Sequence, residues 1–330
     1  MYSEKVPTFL KNIKRPWKIL APMVDNSEEA FRILVKNYGC DFGYTEMVNT
    51  TVLNRMKFKF EKNKWFSDVS KDRPLVVQIC GNDPITMLKS SRKLESFYDA
   101  IDINLGCPQH CARKGVYGAW LMNDQTRIFE IVKTLSSELT IPVFCKIRVF
   151  DSIEKSVEYA KMIENAGCSL LTVHGRTIHQ KGKNTGLVSL DHIKAIKEAL
   201  TIPVISNGGI LEHKDIEKTL NYTKCDGVMI GEPILYIPTI FSVKEVDPFE
   251  ISKEYLNICS KYPGSADIKH IRSHLFKFLY EPFTLLPEYR NIFLKKRSIY
   301  ELIDFVNQFK NAFPNIKFKL KPYLRSNILK

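Results

Sequence analysis

The segment Asp102-Ile103-Asn104-Leu105-Gly106-Cys107-Pro108 ends an apolar run on a cysteine held in a turn bounded by Gly and Pro. An ordinary thiol has a pKa of about 8.5, so at neutral pH it is mainly protonated and can give a proton to a carbanion forming beside it. A nucleophilic cysteine would need an adjacent base, and His110 is the only histidine close in sequence. A buried structural cysteine is the third reading. Lys146 follows Cys145 in a second apolar run, Cys145-Lys146-Ile147-Arg148. Burying an unpaired ammonium is costly, so a strand lysine there needs an anion, unless it forms a Schiff base. His174-Gly175-Arg176 closes a third run. There the imidazole can face a ring system or a phosphate, and the guanidinium a substrate oxygen. Ser206-Asn207-Gly208-Gly209 and Gly231-Glu232 end two more runs. Glycines let backbone N–H groups approach and cradle a phosphate, although either pair read alone is an ordinary turn.

The elements that must position these groups are eight short apolar or β-branched runs: 18–23, 41–45, 74–80, 100–105, 142–147, 169–174, 202–206 and 226–230. Segments of helical period separate most of them: 27–38, 84–97, 125–138, 152–166, 191–200 and 213–222. Strands alternating with helices build parallel βαβ units. Eight of them over about 230 residues fit a closed (β/α)8 TIM barrel. An open doubly wound sheet is disfavoured, because Ala-Pro-Met-Val-Asp stands where a G-x-G-x-x-G would follow the first strand. A barrel carries its active groups where strands end. Met23, Gln78, Asn104, Lys146, His174 and Asn207 all fall in or just after the runs.

The chain carries a formal net charge of +13. Residues 250–330 hold 15 Lys and Arg against 7 Asp and Glu, which is +8 and leaves +5 for the first 249. Helical periodicity over 250–260, 267–280 and 298–312 makes this part a small all-helical domain. Its end is rich in cations: Lys295, Lys296, Arg297, Lys310, Lys317, Lys319, Lys321, Arg325 and Lys330. A barrel over 1–245 and a basic helical domain over 246–330 follow, with a polyanion as the natural partner; a merely Lys-rich composition or a solvated helical cap is the blander reading. Eight scattered cysteines without a C-x-x-C pair point to a reducing compartment and to no structural metal. No run reaches the ~20 apolar residues of a membrane span, and Met1–Lys18 has no apolar signal core. Cytoplasm is the default expectation.

Taken together these residues resemble the dihydrouridine synthase family. The matching pieces run in order over about 210 residues: A-P-M-V (21–24), V-Q-I-C-G-N-D-P (77–84), D-I-N-L-G-C-P (102–108), C-K-I-R (145–148), L-T-V-H-G-R-T (171–177), S-N-G-G-I (206–210) and G-V-M-I-G-E (227–232). Phrases such as C-K-I-R-V-F and H-G-R-T-x-x-Q-K-G look most like the eukaryotic branch acting on tRNA uridines 16 and 17. The branch for later D-loop uridines has a similar pattern.

The resemblance implies bound FMN, NADPH or NADH as electron donor, tRNA as substrate, and a basic helical domain that grips the RNA. Pro22, Met23 and Val24 would line the isoalloxazine, Gln78 and Lys146 would bond its polar edge, and His174 would also touch it. Asn207, Gly208, Gly209, Gly231 and Glu232 would hold the phosphate, and Asn104 and Arg176 the uracil. Cys107 would protonate C5 after hydride reaches C6. No metal, no membrane and a monomer are expected. One departure is Glu232, where many bacterial members have arginine. This implies a phosphate grip made mainly of amides. Two competing readings are an FMN barrel enzyme acting on a small molecule, of the dihydroorotate dehydrogenase type, and a tRNA-binding protein without chemistry.

Overall fold

The computed structural model describes residues 6–56 and 72–322; Arg325 and Lys330 of the basic tail lie outside them. The strands are β1 Trp17–Leu20, β2 Phe42–Tyr44, β3 Val48–Asn49, β4 Leu75–Cys80, β5 Ala100–Leu105, β6 Val143–Arg148, β7 Leu170–His174, β8 Val204–Asn207 and β9 Gly227–Ile230. All pair in parallel, in the order β2-β1-β9-β8-β7-β6-β5-β4, and β2 returns to β4 through Gly43–Leu75 and Tyr44–Val76. Eight strands therefore close into a barrel, as the alternation of runs implied. The short β3 continues the line of β2 along the upper end of β4, pairing Val48 with Ile79 and Asn49 with Cys80. Between β2 and β3, Thr45 turns its hydroxyl to accept the N–H of Gln78 at 3.2 Å. That interruption hides β3 from a search for continuous apolar runs.

The outer ring is α1 Glu29–Lys36, α2 Thr50–Arg55, α3 Pro84–Leu94, α4 His110–Lys114, α5 Gln125–Glu138, α6 Ile153–Asn165, α7 Leu190–Ala199 and α8 His213–Thr223. Their starts are written locally. Asp83, Asp124 and Ser152 accept backbone N–H groups of α3, α5 and α6, and Pro84 occupies the first turn of α3, where no N–H is needed. Side chains alternate across each strand. Ile103, Ile147 and Val173 face outward into the core beneath the helices, whereas Phe144, Leu170 and Ile205 face inward. The lower barrel is thus a packed apolar floor of Trp17, Phe42, Phe144, Leu170 and Met229, closed from below by Phe9 and Leu10. Its function is mechanical: it gives the polar groups above a rigid base.

Among the described residues five helices follow: α9 Pro248–Lys261, α10 Ile268–Phe278, α11 Tyr280–Leu285, α12 Glu288–Leu294 and α13 Ile299–Asn311. The 245/246 division falls in the connection between β9 and α9. Helices α11 and α12 are too short to show a period, and Pro282 and Pro287 punctuate them. Ser298 and Glu301 form a reciprocal capping box on α13. A cluster of Phe249, Phe283, Phe293, Phe305 and Phe309 fills the space between these helices, with Phe283 and Phe309 stacked at 5.0 Å. Each such ring stabilises by roughly 1.5–3 kcal/mol through burial. The same core continues through α1 and β9, so the helical region is seated on that side of the barrel.

Candidate active site

Strand register stacks the inward side chains in storeys above the floor. Gln78 pairs with Asp102, Asn104 with Lys146 and Lys146 with Thr172. One storey higher, Arg148 pairs with His174 and His174 with Asn207. The upper end of the barrel is therefore polar by construction: residues at i and i+2 of one strand share a face.

A cavity of about 320 Å³ opens at this end. It is lined by Pro22, Met23, Lys146, His174, Arg176, Asn207, Gly208, Gly209, Gly231 and Glu232, which brings together ten of the residues singled out from sequence. Val24 is 56% exposed, and neither it nor Gln78, Asn104 or Cys107 is in the cavity wall. Larger clefts lie elsewhere, among them one of about 1030 Å³ under the barrel floor and one of about 960 Å³ beside the β9–α9 connection. Both are open grooves away from the strand ends, so volume alone does not identify the site.

Arg148 and Lys181 also line the cavity and were not singled out from sequence. The i, i+2 spacing of Lys146 and Arg148 was the available signal for Arg148. Its guanidinium donates to the carbonyls of Gly106 (2.9 Å), Thr177 (2.6 Å) and Gln180 (3.1 Å), stapling the loop after β5 to the loop after β7. Lys181 adds a second staple, donating to the Pro108 carbonyl at 2.7 Å while sitting over the Trp120 ring.

Four cations thus line one small cavity, with Glu232 as the carboxylate. Burial, then the neighbouring Arg148, lowers the Lys146 ammonium to about 8, with Asp102 beneath opposing the shift. Burial and Arg176 lower Arg148 to about 10. Burial, Lys146, Arg148 and Arg176 drive the His174 imidazole far below its usual range. The Lys146 side chain makes no hydrogen bond among the described residues, and it lines the cavity. The glycines complete a cradle. Gly208 and Gly209 have φ of +98° and +80°, and a Cβ on Gly208 would lie 2.9 Å from His174 Cδ2. Clustered cations and close-approaching backbone amides are what a phosphorylated, partly anionic ligand requires. The residues present fit FMN.

Cys107 stands on the loop beside this cavity, next to Pro108, which lines it. Burial raises its thiol above the usual range, so it is protonated at neutral pH. Its N–H donates to Asn104 Oδ1 at 2.9 Å and its carbonyl accepts from Ala119 at 3.1 Å. His110 is exposed. A protonated thiol suits a proton donor better than a nucleophile. Gln78 is buried, with its amide donating to Asp102 and accepting from Asn104, both at 2.8 Å.

The β1–α1 loop carrying Pro22 and Met23 is braced by α10. Lys269 pairs with Asp25 at 2.7 Å, Lys277 donates to Asn26 at 2.8 Å, and His274 meets Glu28 at 3.1 Å. Among the described residues no cluster of three or more His, Cys, Asp or Glu could hold a metal ion, and no helix is long and apolar enough to cross a membrane.

The family model described as dihydrouridine synthase matches residues 19–327. The chain is similar to the tRNA-dihydrouridine(16/17) synthase-like protein of Rattus norvegicus, 39% identical over 282 residues, covering 85% of this chain and 64% of that protein. It is 41% identical over 293 residues to the tRNA-dihydrouridine(16/17) synthase of Saccharomyces cerevisiae, covering 85% and 68%. A Homo sapiens tRNA-dihydrouridine(20a/20b) synthase-like protein is 35% identical over 244 residues, covering 73% and 75%. The chain thus spans just under two thirds of the rat relative. Among solved structures, one described as "Crystal structure of TcOYE with pHBA" superposes with a TM-score of 0.50 at 10% identity, covering 80% of this chain and 93% of that one. That likeness concerns the barrel fold alone.

Proposed function

Because the chain belongs to the dihydrouridine synthase family, we propose that it reduces the C5–C6 bond of D-loop uridines in tRNA, at positions 16 and 17, with electrons from NADPH or NADH and with FMN as cofactor. The observation that carries this reading is the placement of Cys107 on the loop flanking a cation-lined, glycine-cradled cavity, where burial pushes its thiol up and so favours the protonated form. The names of the relatives support the substrate and the nicotinamide; the cradle supports the flavin.

FMN, when bound, supplies hydride chemistry that no side chain here can perform. The chain's own residues do the rest. Backbone N–H groups at Asn207, Gly208, Gly209, Gly231 and Glu232 would hold the phosphate, since the carboxylate of Glu232 supplies no positive charge to the grip. Lys146 would face the anionic edge of the ring and Gln78 would bond that edge from below. Pro22 and Met23 would pack against the ring, with Val24 at the outer margin. His174 would offer a neutral imidazole. Arg176 and Asn104 would hold the uracil, whose C5–C6 bond is electron-poor through conjugation with the C4 carbonyl. Hydride addition at C6 creates a demand for a proton at C5, which the Cys107 thiol meets.

A uracil in folded tRNA must be flipped out to reach this cavity, at a cost of a few kcal/mol. Phosphate contacts supply compensating affinity, and the exposed Lys295, Arg297 and Lys317 on the helical side are suited to make them. The test is direct. Purified protein should be yellow, bleach under NADPH, and regain colour with unmodified tRNA while dihydrouridine appears at 16 and 17. Recolouring by a small pyrimidine acid but not by tRNA would replace this reading with the small-molecule one.

A further inference from the structure

Asp102 is fully buried one storey below the rim, with an acceptor-only carboxylate whenever it is ionised. Its Oδ2 accepts from Gln78 Nε2 at 2.8 Å. That contact fixes which way the Gln78 amide points, because only the NH2 side can face a carboxylate. The Gln78 oxygen is then turned to Asn104, accepting from its Nδ2 at 2.8 Å. Asn104 in turn must present Oδ1 away from Gln78, and that oxygen accepts the N–H of Gly106 at 3.1 Å and of Cys107 at 2.9 Å. Each amide could in isolation sit either way round. Flipping any one of them would set NH2 against NH2 or NH2 against a backbone N–H.

We propose that Asp102 is a positioning residue: as the acceptor at one end of the relay Asp102–Gln78–Asn104, it fixes the Gln78 amide and, together with the Gly106 and Cys107 N–H groups at the other end, anchors the Asn104 side chain and so the backbone of Cys107 beside the cavity. The relay spans β4 and β5 and ends in the loop, so it transmits the rigidity of the strands to an otherwise irregular segment. It accounts for a buried carboxylate in the barrel interior whose other oxygen, Oδ1, has no hydrogen-bond partner among the described residues: burial pushes this carboxyl up to about 7 against the Gln78 hydrogen bond and Lys146 on the adjacent strand, so the acceptor-only form that orients Gln78 prevails above that pH. This inference rests on the proposed role of Cys107 only for its consequence in catalysis. Its geometry can be tested without turnover.

The test uses the full chain in a Cys111→Ser background, which leaves Cys107 as the accessible thiol, the other six cysteines being buried. Two quantities are read: hydrogen–deuterium exchange of the Gly106 and Cys107 amides, and the rate of alkylation of residue 107 by iodoacetamide. Asp102→Asn removes the directional lock, since an amide can meet Gln78 either way round. Both quantities should rise about fivefold, the factor matching the net worth of one hydrogen bond. Asp102→Asn combined with Asn104→Asp reverses the polarity of the whole relay. The new Asn donates to Gln78 Oε1, Gln78 donates to the new carboxylate, and the carboxylate still accepts from Gly106 and Cys107. Exchange and alkylation should then return to within about twofold of the parent, because the same number of bonds is made. Failure of the single variant to fold, with the double variant folding, supports the relay equally. Unchanged protection in the single variant, or no recovery in the double one, overturns it. Loss of tRNA reduction in Cys107→Ala is a separate matter and bears on the acid role alone.

Discussion

Arg176 Nη1 lies 3.2 Å from Nε2 of His174. A guanidinium only donates, so the ring nitrogen facing it must accept, and the imidazole proton is placed on Nδ1. Burial comes first in holding the ring neutral, and three cations add to it: a charged imidazole would be a fourth positive charge beside Lys146, Arg148 and Arg176. His174 should therefore stay uncharged from about pH 8 down to about pH 5, where an ordinary histidine changes state. Imidazole 15N shifts recorded across that range should be flat; a titration near the usual midpoint would contradict the tautomer.

Replacing Cys107 with Ala should leave reduction of the cofactor by NADPH close to normal, because the thiol is outside the cavity wall. Dihydrouridine formation should fall by about 10²–10⁴-fold, the span of general acid catalysis. Rapid-mixing spectra for the first half-reaction and nucleoside analysis for the second separate the two. Full tRNA activity in the variant would remove the acid role.

Gly118 has φ +65°, and a Cβ there would lie 2.8 Å from the Cys107 carbonyl oxygen and 2.9 Å from Cys107 Cβ. Neither neighbour is a flexible side-chain tip, so Gly118→Ala must displace the cysteine loop. A loss of roughly 1–3 kcal/mol in stability is expected from the strained backbone, accompanied by lower tRNA activity with cofactor retained. A denaturant titration and a flavin spectrum read both. Unaltered turnover would mean that the position of Cys107 is not critical.

Glu28 joins α1 to the helical side through His274 and Tyr255. Burial pushes its carboxyl up, but His274 and the hydrogen bonds from His274 and Tyr255 prevail and lower it to about 2 from 4.5. A depressed carboxylate contributes stability above its unfolded pKa and loses it as pH falls through the folded one. The contribution, on the order of 3 kcal/mol, is present above about pH 4.5 and fades toward pH 2. Glu28→Gln should be clearly less stable than the parent in urea at pH 7, with the gap narrowing below pH 4. A gap independent of pH would assign the loss to packing instead.

Several cations of the basic tail are already paired: Lys310 with Asp247, Lys319 with Glu245 and Lys321 with Glu281. Reversal of Lys295, Lys296 and Arg297 to glutamate should therefore weaken tRNA binding more than reversal of the paired lysines. Its log–log salt slope should become shallower by about one for each phosphate no longer neutralised. Binding measured between low and high salt decides this, and a slope unchanged by all three reversals would place the RNA elsewhere.

Much of this candidate site is legible in the amino-acid sequence. Asn207-Gly208-Gly209, Gly231, Lys146 and His174 stand at strand ends, and a barrel has only one end at which strand ends converge. Asp102 and Arg148 have no sequence signal beyond lying two residues from Asn104 and Lys146 on the same strand faces. Val24 adjoins Pro22 and Met23 in sequence, yet the chain turns away after Met23 and leaves it exposed. Helices α11 and α12 are shorter than the period needed to reveal them.

Local patterning determined the alternation of strand and helix, the caps and the chemistry available at each strand end, because these depend on residues a few positions apart. Closure of the barrel, the orientation of the amides of Gln78 and Asn104, the neutrality of His174 and the seating of α10 on the loop of Pro22 and Met23 were decided only in three dimensions. Each depends on the electrostatic field or the hydrogen-bond partners supplied by strands and helices remote in sequence, and those exist only once the chain has closed on itself.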